Sequence, residues 1–212
     1  MPSRSAVRSR ERESEATRRA ILDAAETLLT SGGEQAVSIR EVCRLARVTA
    51  PTVYHHFGDK AALVDRVVDT CFAELEREFR GRRRPTDPVA ALRWGFDRYV
   101  AYGVAHPAHY RLMFARRPSR STPASLASYD TLRQGVAAVA AAGRLRVAVE
   151  DATAAFWATL HGITSLLIAD FWNPDETAIG LVLDGMIAQL TWPAERRLTA
   201  LRGASRRTPH DA

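Results

Sequence analysis

Apolar residues recur along this chain at three- and four-residue intervals, and no stretch alternates in the manner of a strand. From Thr17 onward Ala20, Ile21, Ala24, Ala25, Leu28 and Leu29 hold helical spacing until Gly32-Gly33 interrupts it. Ser38 can cap a short helix that carries Ile39, Val42 and Leu45 inward, and Thr49 can cap a second that reaches His56, with Val53 and Phe57 on the same core side. Asp59 starts a long helix through Leu63, Val67, Cys71, Leu75 and Phe79, broken at Gly81 and Arg82-Arg83-Arg84-Pro85. Asp87-Pro88 opens the next, with Val89, Leu92, Trp94, Phe96, Tyr99 and Tyr102, and His106-Pro107 opens a shorter one with His109, Tyr110, Leu112, Met113 and Phe114. The run Arg116 to Pro123 reads as an exposed loop before a helix carrying Leu126, Tyr129, Leu132, Val136 and Val139. Val149 to Phe171 is apolar around most of its circumference and is expected to be buried on several sides. Asn173-Pro174 ends it, and Glu176 to Leu190 completes an all-α chain with an apolar stripe of Ile179, Val182, Leu183, Met186 and Leu190.

The two short helices, joined through Ala46, Arg47 and Val48, form a helix-turn-helix pattern. The outward side of the second is small, hydroxylated and aromatic: Thr49, Ala50, Thr52, Tyr54, His55 and His56. Short side chains at its start allow such a helix to sink into the DNA major groove, about 12 Å wide, and set hydroxyls, methyls and an imidazole against base edges and phosphates. Pro51 suits this position, because first-turn N–H groups have no intrahelical partner to lose. Lys60 places a cation at the positive end of the following helix, an arrangement that a nearby phosphate explains.

The run VYHHFGDKAAL, Val53 to Leu63, with the Thr49 cap before it, resembles the DNA-binding end of TetR-type transcriptional regulators. The close resemblance spans residues 17–67, and the remainder is similar only in its all-helical ligand domain. Two later segments, His106 to Phe114 (HPAHYRLMF) and Trp157 to Gly162 (WATLHG), resemble one class of TetR-type C-terminal domains, the WHG-motif class. The resemblance implies a homodimer, a repressor more than an activator, that binds a palindromic operator and is released or rearranged by a small-molecule effector. Tyr54 and Lys60 match phosphate-contacting positions, and Thr49, Ala50, Pro51, Thr52 and His55 match the groove-facing set; Ser38, Arg40 and Arg47 complete the expected DNA-binding residues. One departure stands out. The family's pattern usually has Gly where this chain has Arg47, and a non-glycine residue in the left-handed region costs about 1 kcal/mol. Either the turn differs or the strain is accepted, with the guanidinium reaching a phosphate. The expected effector pocket takes Trp94, Phe96, Tyr99, Tyr102, Tyr110, Met113, Phe114, Trp157 and His161. The expected dimer contacts are Ile163, Leu167, Ile179, Val182, Leu183, Met186 and Leu190, with Gly180, Gly185 and Ala188 allowing close approach.

Composition refines this picture modestly. The 212 residues carry a formal charge of +6, but it divides unevenly: 10 basic against 8 acidic residues over 1–60, 12 against 7 over 61–120, and 8 against 9 over 121–212. Net charge alone therefore does not mark a DNA-binding domain. Lys60 is the only lysine, which makes its place in the motif more telling. The expected organisation is an N-terminal arm over 1–14, a helix-turn-helix domain over 15–62, a ligand and dimerisation domain over 63–192, and a tail over 193–212. The arm lacks the apolar run of a signal peptide, so a cytoplasmic protein is expected. It is expected to be disordered, and its arginines are either a solvated tail or an arm that follows DNA. Cys43 and Cys71 read as reduced packing residues. His106, His109 and His161 lack ligand-spaced companions, so no metal or other cofactor is expected. No catalytic motif points to an enzyme. Asp151, Thr159, His161, Ser165 and Asp170 exclude a membrane span from the most apolar helix. An alternative from another class is a DNA-binding adaptor whose C-terminal domain binds a protein and has no small-molecule pocket.

Overall fold

The computed structural model describes residues 4–80, 82–114, 123–169 and 176–193. Its helices are α1 (Arg4–Ala36), α2 (Ile39–Ala46), α3 (Ala50–Phe57), α4 (Lys60–Phe79), α5 (Pro88–Ala105), α6 (Pro107–Phe114), α7 (Pro123–Ala141), α8 (Val149–Ile168) and α9 (Glu176–Leu190). No strand forms among the described residues; Leu145 and Thr191 make an isolated antiparallel bridge. Most of the Arg116 to Pro123 loop, the Asn173-Pro174 break and the tail beyond Pro193 lie outside the described residues.

The chain divides into two compact units. The first takes residues up to Arg77 and then His106 to Leu126; the second takes Glu78 to Ala105 and continues from Ala127. α6 thus packs in the compact unit that holds the helix-turn-helix, although it falls within the expected 63–192 segment.

In the first unit Ile21, Ala24, Ala25 and Leu29 of α1 meet Val37, Val42 of α2, Val53 of α3, and Leu63, Val64 and Val67 of α4. Two short helices cannot bury enough apolar surface alone, so α1 and α4 supply the floor on which they sit. Leu112 of α6 packs against the same cluster. Phe114 meets Phe72 edge-on, with ring centroids 5.9 Å apart. Asp69 Oδ1 accepts the Ala124 N–H at 3.0 Å and so caps the start of α7.

Two expectations need correction. Helical structure begins at Arg4, thirteen residues before Thr17. Residues 7–16 are exposed on every side, and a helix without a buried face leaves no apolar period to read. The arginines and glutamates there favour the helix by propensity alone. Leu45, expected inward, is 38% exposed, because Val42, Cys43 and Ala46 occupy the core-facing positions of α2. Gly32 and Gly33 do break the helical dihedrals of α1, as their pattern predicts, and Gly33 has φ 66°.

In the second unit α8 packs against α5 and α9. Its core holds Leu92, Phe96, Tyr99 and Tyr102 of α5, Val136 and Val139 of α7, Ala152, Phe156, Leu160 and Ile163 of α8, and Leu183 of α9. The buried hydroxyls of Thr153 and Thr164 donate to the carbonyls of Val149 and Leu160, each at 2.7 Å, so neither is left unpaired. The end of α9 is fixed to the connection after α7. The Arg146 N–H donates to Leu190 O at 2.9 Å, the Trp192 N–H donates to Arg144 O at 2.7 Å, and the Arg146 guanidinium lies 3.8 Å from the Trp192 ring centre.

Candidate nucleic-acid interface

Ser38 caps α2 by accepting the Glu41 N–H at 3.2 Å. Arg40 is the most exposed of the α2 cations, with 90% of its side chain in solvent and its Nε 3.7 Å from Glu41 Oε1. Arg44 pairs with the same carboxylate at 2.8 Å, and this bond holds the Glu41 carboxyl below its ordinary range. α2 then closes on Arg47, whose backbone is left-handed at φ 56°, ψ 43° and donates to Cys43 O. The turn therefore keeps the geometry that suits glycine and accepts the strain of a side chain, about 1 kcal/mol.

Thr49 has the extended dihedrals of a cap residue, and its carbonyl accepts the N–H groups of Thr52 at 3.1 Å and Val53 at 3.2 Å. Its hydroxyl does not cap the helix as expected. Thr49 Oγ1 lies 2.9 Å from Thr52 Oγ1, so the two hydroxyls orient one another at the start of α3. Pro51 occupies the first turn, where it costs no hydrogen bond. Val53 is 1% exposed and anchors α3 from beneath, while Tyr54 is 49% exposed and His55 is open to solvent. Ala50, Thr52 and His56 are half-buried. Arg18 of α1 covers the Phe57 ring at 5.6 Å and closes the far end of α3.

Gly58, at φ 83°, reverses the chain, and Asp59 Oδ1 caps α4 by accepting the Ala62 N–H at 2.7 Å. Lys60 Nζ donates to Glu34 O at 3.1 Å. Lys60 therefore ties the start of α4 to the end of α1, and two of the three ammonium N–H groups remain for a phosphate.

Elsewhere in the first unit, His109 Nε2 of α6 stands 2.7 Å from Glu26 Oε1, and Nδ1 lies 3.2 Å from Glu74 Oε2, within ion-pair range but off hydrogen-bond geometry. The carboxylates engage opposite ring nitrogens, which is a bridge between helices rather than a metal-ligand arrangement. Among the described residues no group of three His, Cys, Asp or Glu is placed to hold a metal ion. His106 stacks on His109 at 5.6 Å, whereas His161 is in the second unit. Cys71, beside Glu26 and Glu74, is buried, and that burial, with the two carboxylates, pushes its thiol up to about 12.

The residues expected to form one effector pocket are divided between the units. Tyr110, Met113 and Phe114 are in the first, with Tyr110 and Met113 each 3% exposed. Trp94, Phe96, Tyr99 and Tyr102 are in the second, where the last three are buried. Trp157 is 42% exposed on the solvent side of α8, stacked on His161 with ring centroids 5.8 Å apart. Partial burial holds the His161 imidazole below its ordinary value.

The expected dimer contacts divide as well. Ile163 and Leu183, at 5% and 1% exposure, face the core of their own unit and are not presented to a partner. Val182 is 46% exposed, and Leu167, Ile179, Met186 and Leu190 are half-buried. Leu166 and Leu181, at 44% and 70% exposure, lie outside the expected contact set. With Trp157 and Val182 they make the open apolar positions of α8 and α9, and Ala154, Ala158, Gly162, Gly185 and Ala188 are exposed among them.

A capped helix pair with a left-handed joint, seated on two longer helices and presenting hydroxyl, methyl and aromatic groups, defines a helix-turn-helix DNA-binding protein. The sequence profile described as "Bacterial regulatory proteins, tetR family" matches residues 21–67, and that of the "Tetracyclin repressor-like, C-terminal domain" matches residues 95–190. The protein belongs to the TetR family of transcriptional regulators. It is 34% identical over 90 residues to the HTH-type transcriptional regulator AcrR of Shigella flexneri, a match covering 41% of each chain. With the regulator UidR of Escherichia coli it shares 28% identity over 97 residues, 46% of this chain and 45% of that one. It therefore spans less than half the length of these relatives. An uncharacterised HTH-type regulator of Mycobacterium tuberculosis is 27% identical over 92% of this chain and 88% of its own. Among solved structures, a Rhodococcus protein of unknown function is 26% identical with a TM-score of 0.69, covering 83% of this chain and 96% of its own. A TetR family regulator from Marinobacter aquaeolei shares the fold at a TM-score of 0.65 and 17% identity, over 87% and 100% of the two chains. AcrR and UidR are both HTH-type transcriptional regulators, and no helix among the described residues is long and apolar enough to cross a membrane.

Proposed function

We propose that this protein is a cytoplasmic repressor that binds a palindromic operator as a homodimer through α2 and α3 and is released by a small-molecule effector held in its second unit. The observation that carries the dimer is the open face of α8 and α9, where Trp157, Leu166, Leu181 and Val182 alternate with exposed Ala and Gly. Small residues between large ones let two copies of the same face approach closely and interlock about a twofold axis. A twofold dimer presents two α3 helices, and two half-sites in inverted order follow. Ser38 to the Lys60 ammonium then form the DNA contact, with Lys60 and Tyr54 on phosphates and Thr49, Ala50, Pro51, Thr52 and His55 toward bases. The effector reading rests on the aromatic set of α5, Trp94, Phe96, Tyr99 and Tyr102, and on the match of residues 95–190 to the tetracyclin repressor-like C-terminal domain.

The same open face favours one other reading, an adaptor whose α8 and α9 bind a different protein. Selecting binding sites from a random double-stranded DNA pool, with mass measured in solution, separates the two. Inverted repeats with half-sites about one helical turn apart, about 34 Å, and a dimeric mass support the repressor. Single half-sites bound by a monomer sink it and leave the adaptor.

A further inference from the structure

Arg47 is the one described residue other than glycine with a positive φ. Its backbone does what a glycine would do, closing α2 and donating to Cys43 O. Strained conformations of this kind persist where the surrounding structure or a function requires that side chain. Nothing among the described residues requires it. Arg40 and Arg44 each have Glu41 as a partner, whereas Arg47 has no ion pair or hydrogen bond from its guanidinium among the described residues. A carboxylate is available: Asp23, with Ala20, Thr27 and Leu45, lines the same shallow groove of about 370 Å³ beside Arg47, and the two do not pair.

The location gives this uncommitted cation a partner. Two residues after it, Thr49 begins the recognition helix, whose N-terminal end is the part that enters the major groove in this mode of docking. Two residues of chain span at most about 7 Å, so the guanidinium lies within a side chain's reach of the groove edge, where the phosphates stand. We propose that Arg47 is a phosphate-positioning residue: its guanidinium holds a backbone phosphate beside the entry of α3, and fixes how far that helix sinks. The proposal rests on the DNA-binding reading and adds to it the reason for arginine at a left-handed joint.

The test uses the full chain and the DNA site that the wild-type protein selects, with three proteins: wild type, Arg47→Gly and Arg47→Lys. Melting temperature and DNA affinity are measured, the latter over a series of KCl concentrations. Arg47→Gly relieves the backbone, so it melts a few degrees higher. It nevertheless binds roughly tenfold more weakly, with a salt slope shallower by about one unit, on both the selected site and unrelated sequence. Arg47→Lys keeps the slope, because the charge is kept. Wild-type affinity and slope in Arg47→Gly overturn the proposal, as does a loss shared equally by Gly and Lys variants without change of slope, which marks a purely structural role. Should the wild type select no DNA, the DNA-binding reading itself fails, an outcome distinct from either of these.

Discussion

His109 Nε2 lies 2.7 Å from Glu26 Oε1, and through this contact α6 is held on α1. The other ring nitrogen faces Glu74 of α4 at 3.2 Å, so a single imidazole stands between carboxylates from two helices. Truncating it leaves those carboxylates facing each other in a half-buried site. His109→Ala is expected to lower stability by about 1–3 kcal/mol in urea denaturation, with partial recovery in His109→Gln, which can still donate to Glu26. An Ala variant as stable as the parent means that α6 is held by its apolar contacts alone.

The open and closed sides of α9 make opposite predictions for neighbouring residues. Val182→Arg and Leu181→Arg place a charge on exposed positions, and the expected product is a folded monomer with wild-type circular dichroism. Leu183→Arg buries an unpaired charge in the protomer core, at a site 1% exposed, and should cost more than about 3 kcal/mol. Light scattering and thermal melts read both. A dimeric Val182→Arg, Leu181→Arg double variant places the association surface elsewhere.

Lys60 serves the protein before it meets DNA. Lys60→Ala removes the bond to Glu34 O, at about 0.5–1.5 kcal/mol of stability. It should also weaken DNA binding uniformly across sequences and flatten the salt slope by about one unit. His55→Ala should instead leave stability unchanged and relax discrimination at one position of each half-site by about 1–3 kcal/mol. Uniform loss in His55→Ala would show that this side chain positions the protein and reads no base.

Acid should act on the second unit through His161. Its folded value lies below the ordinary 6.5 because burial disfavours the charged ring. As pH falls through 6.5, the unfolded chain takes up a proton that the folded chain resists, so this contribution to stability is present at higher pH and is lost on acidification. The melting temperature of wild type should drop more between pH 7.5 and 5.5 than that of His161→Gln. Parallel curves would mean that the ring is solvated well enough to titrate normally.

Much of the helical order was legible because most helices bury one face, and burial leaves a period in the sequence. Ser38 and Asp59 cap as their residue types predict, since a short polar side chain before an apolar run has few other uses. The errors share a physical cause. The first part of α1, with no buried face, left no period, and Leu45 has an apolar residue's composition in a position its neighbours had already filled. On α8 and α9 the stripe could be seen but not which side of it met the core of the second unit, so the buried Leu183 was read as open. Thr49 and Lys60 show a further limit: hydroxyls and ammonium groups have several partners within reach, and only the folded backbone decides between them. The assignment of α6 needed the three-dimensional partner, because Glu26 and His109 are 83 residues apart.

That assignment bears on how such a regulator can change its target over evolutionary time. The head that meets DNA is closed by a helix encoded thirty residues downstream of Arg77, beyond all of α5. A recombination event with its breakpoint between Arg77 and His106 would transplant α1 to α4 without Leu112, and without the imidazole that Glu26 and Glu74 address. The recipient would inherit a head missing part of its own interior. Transfer of DNA-binding preference by exchanging whole N-terminal segments would therefore cost stability, whereas substitution of individual residues on the exposed faces of α2 and α3 would leave that interior intact.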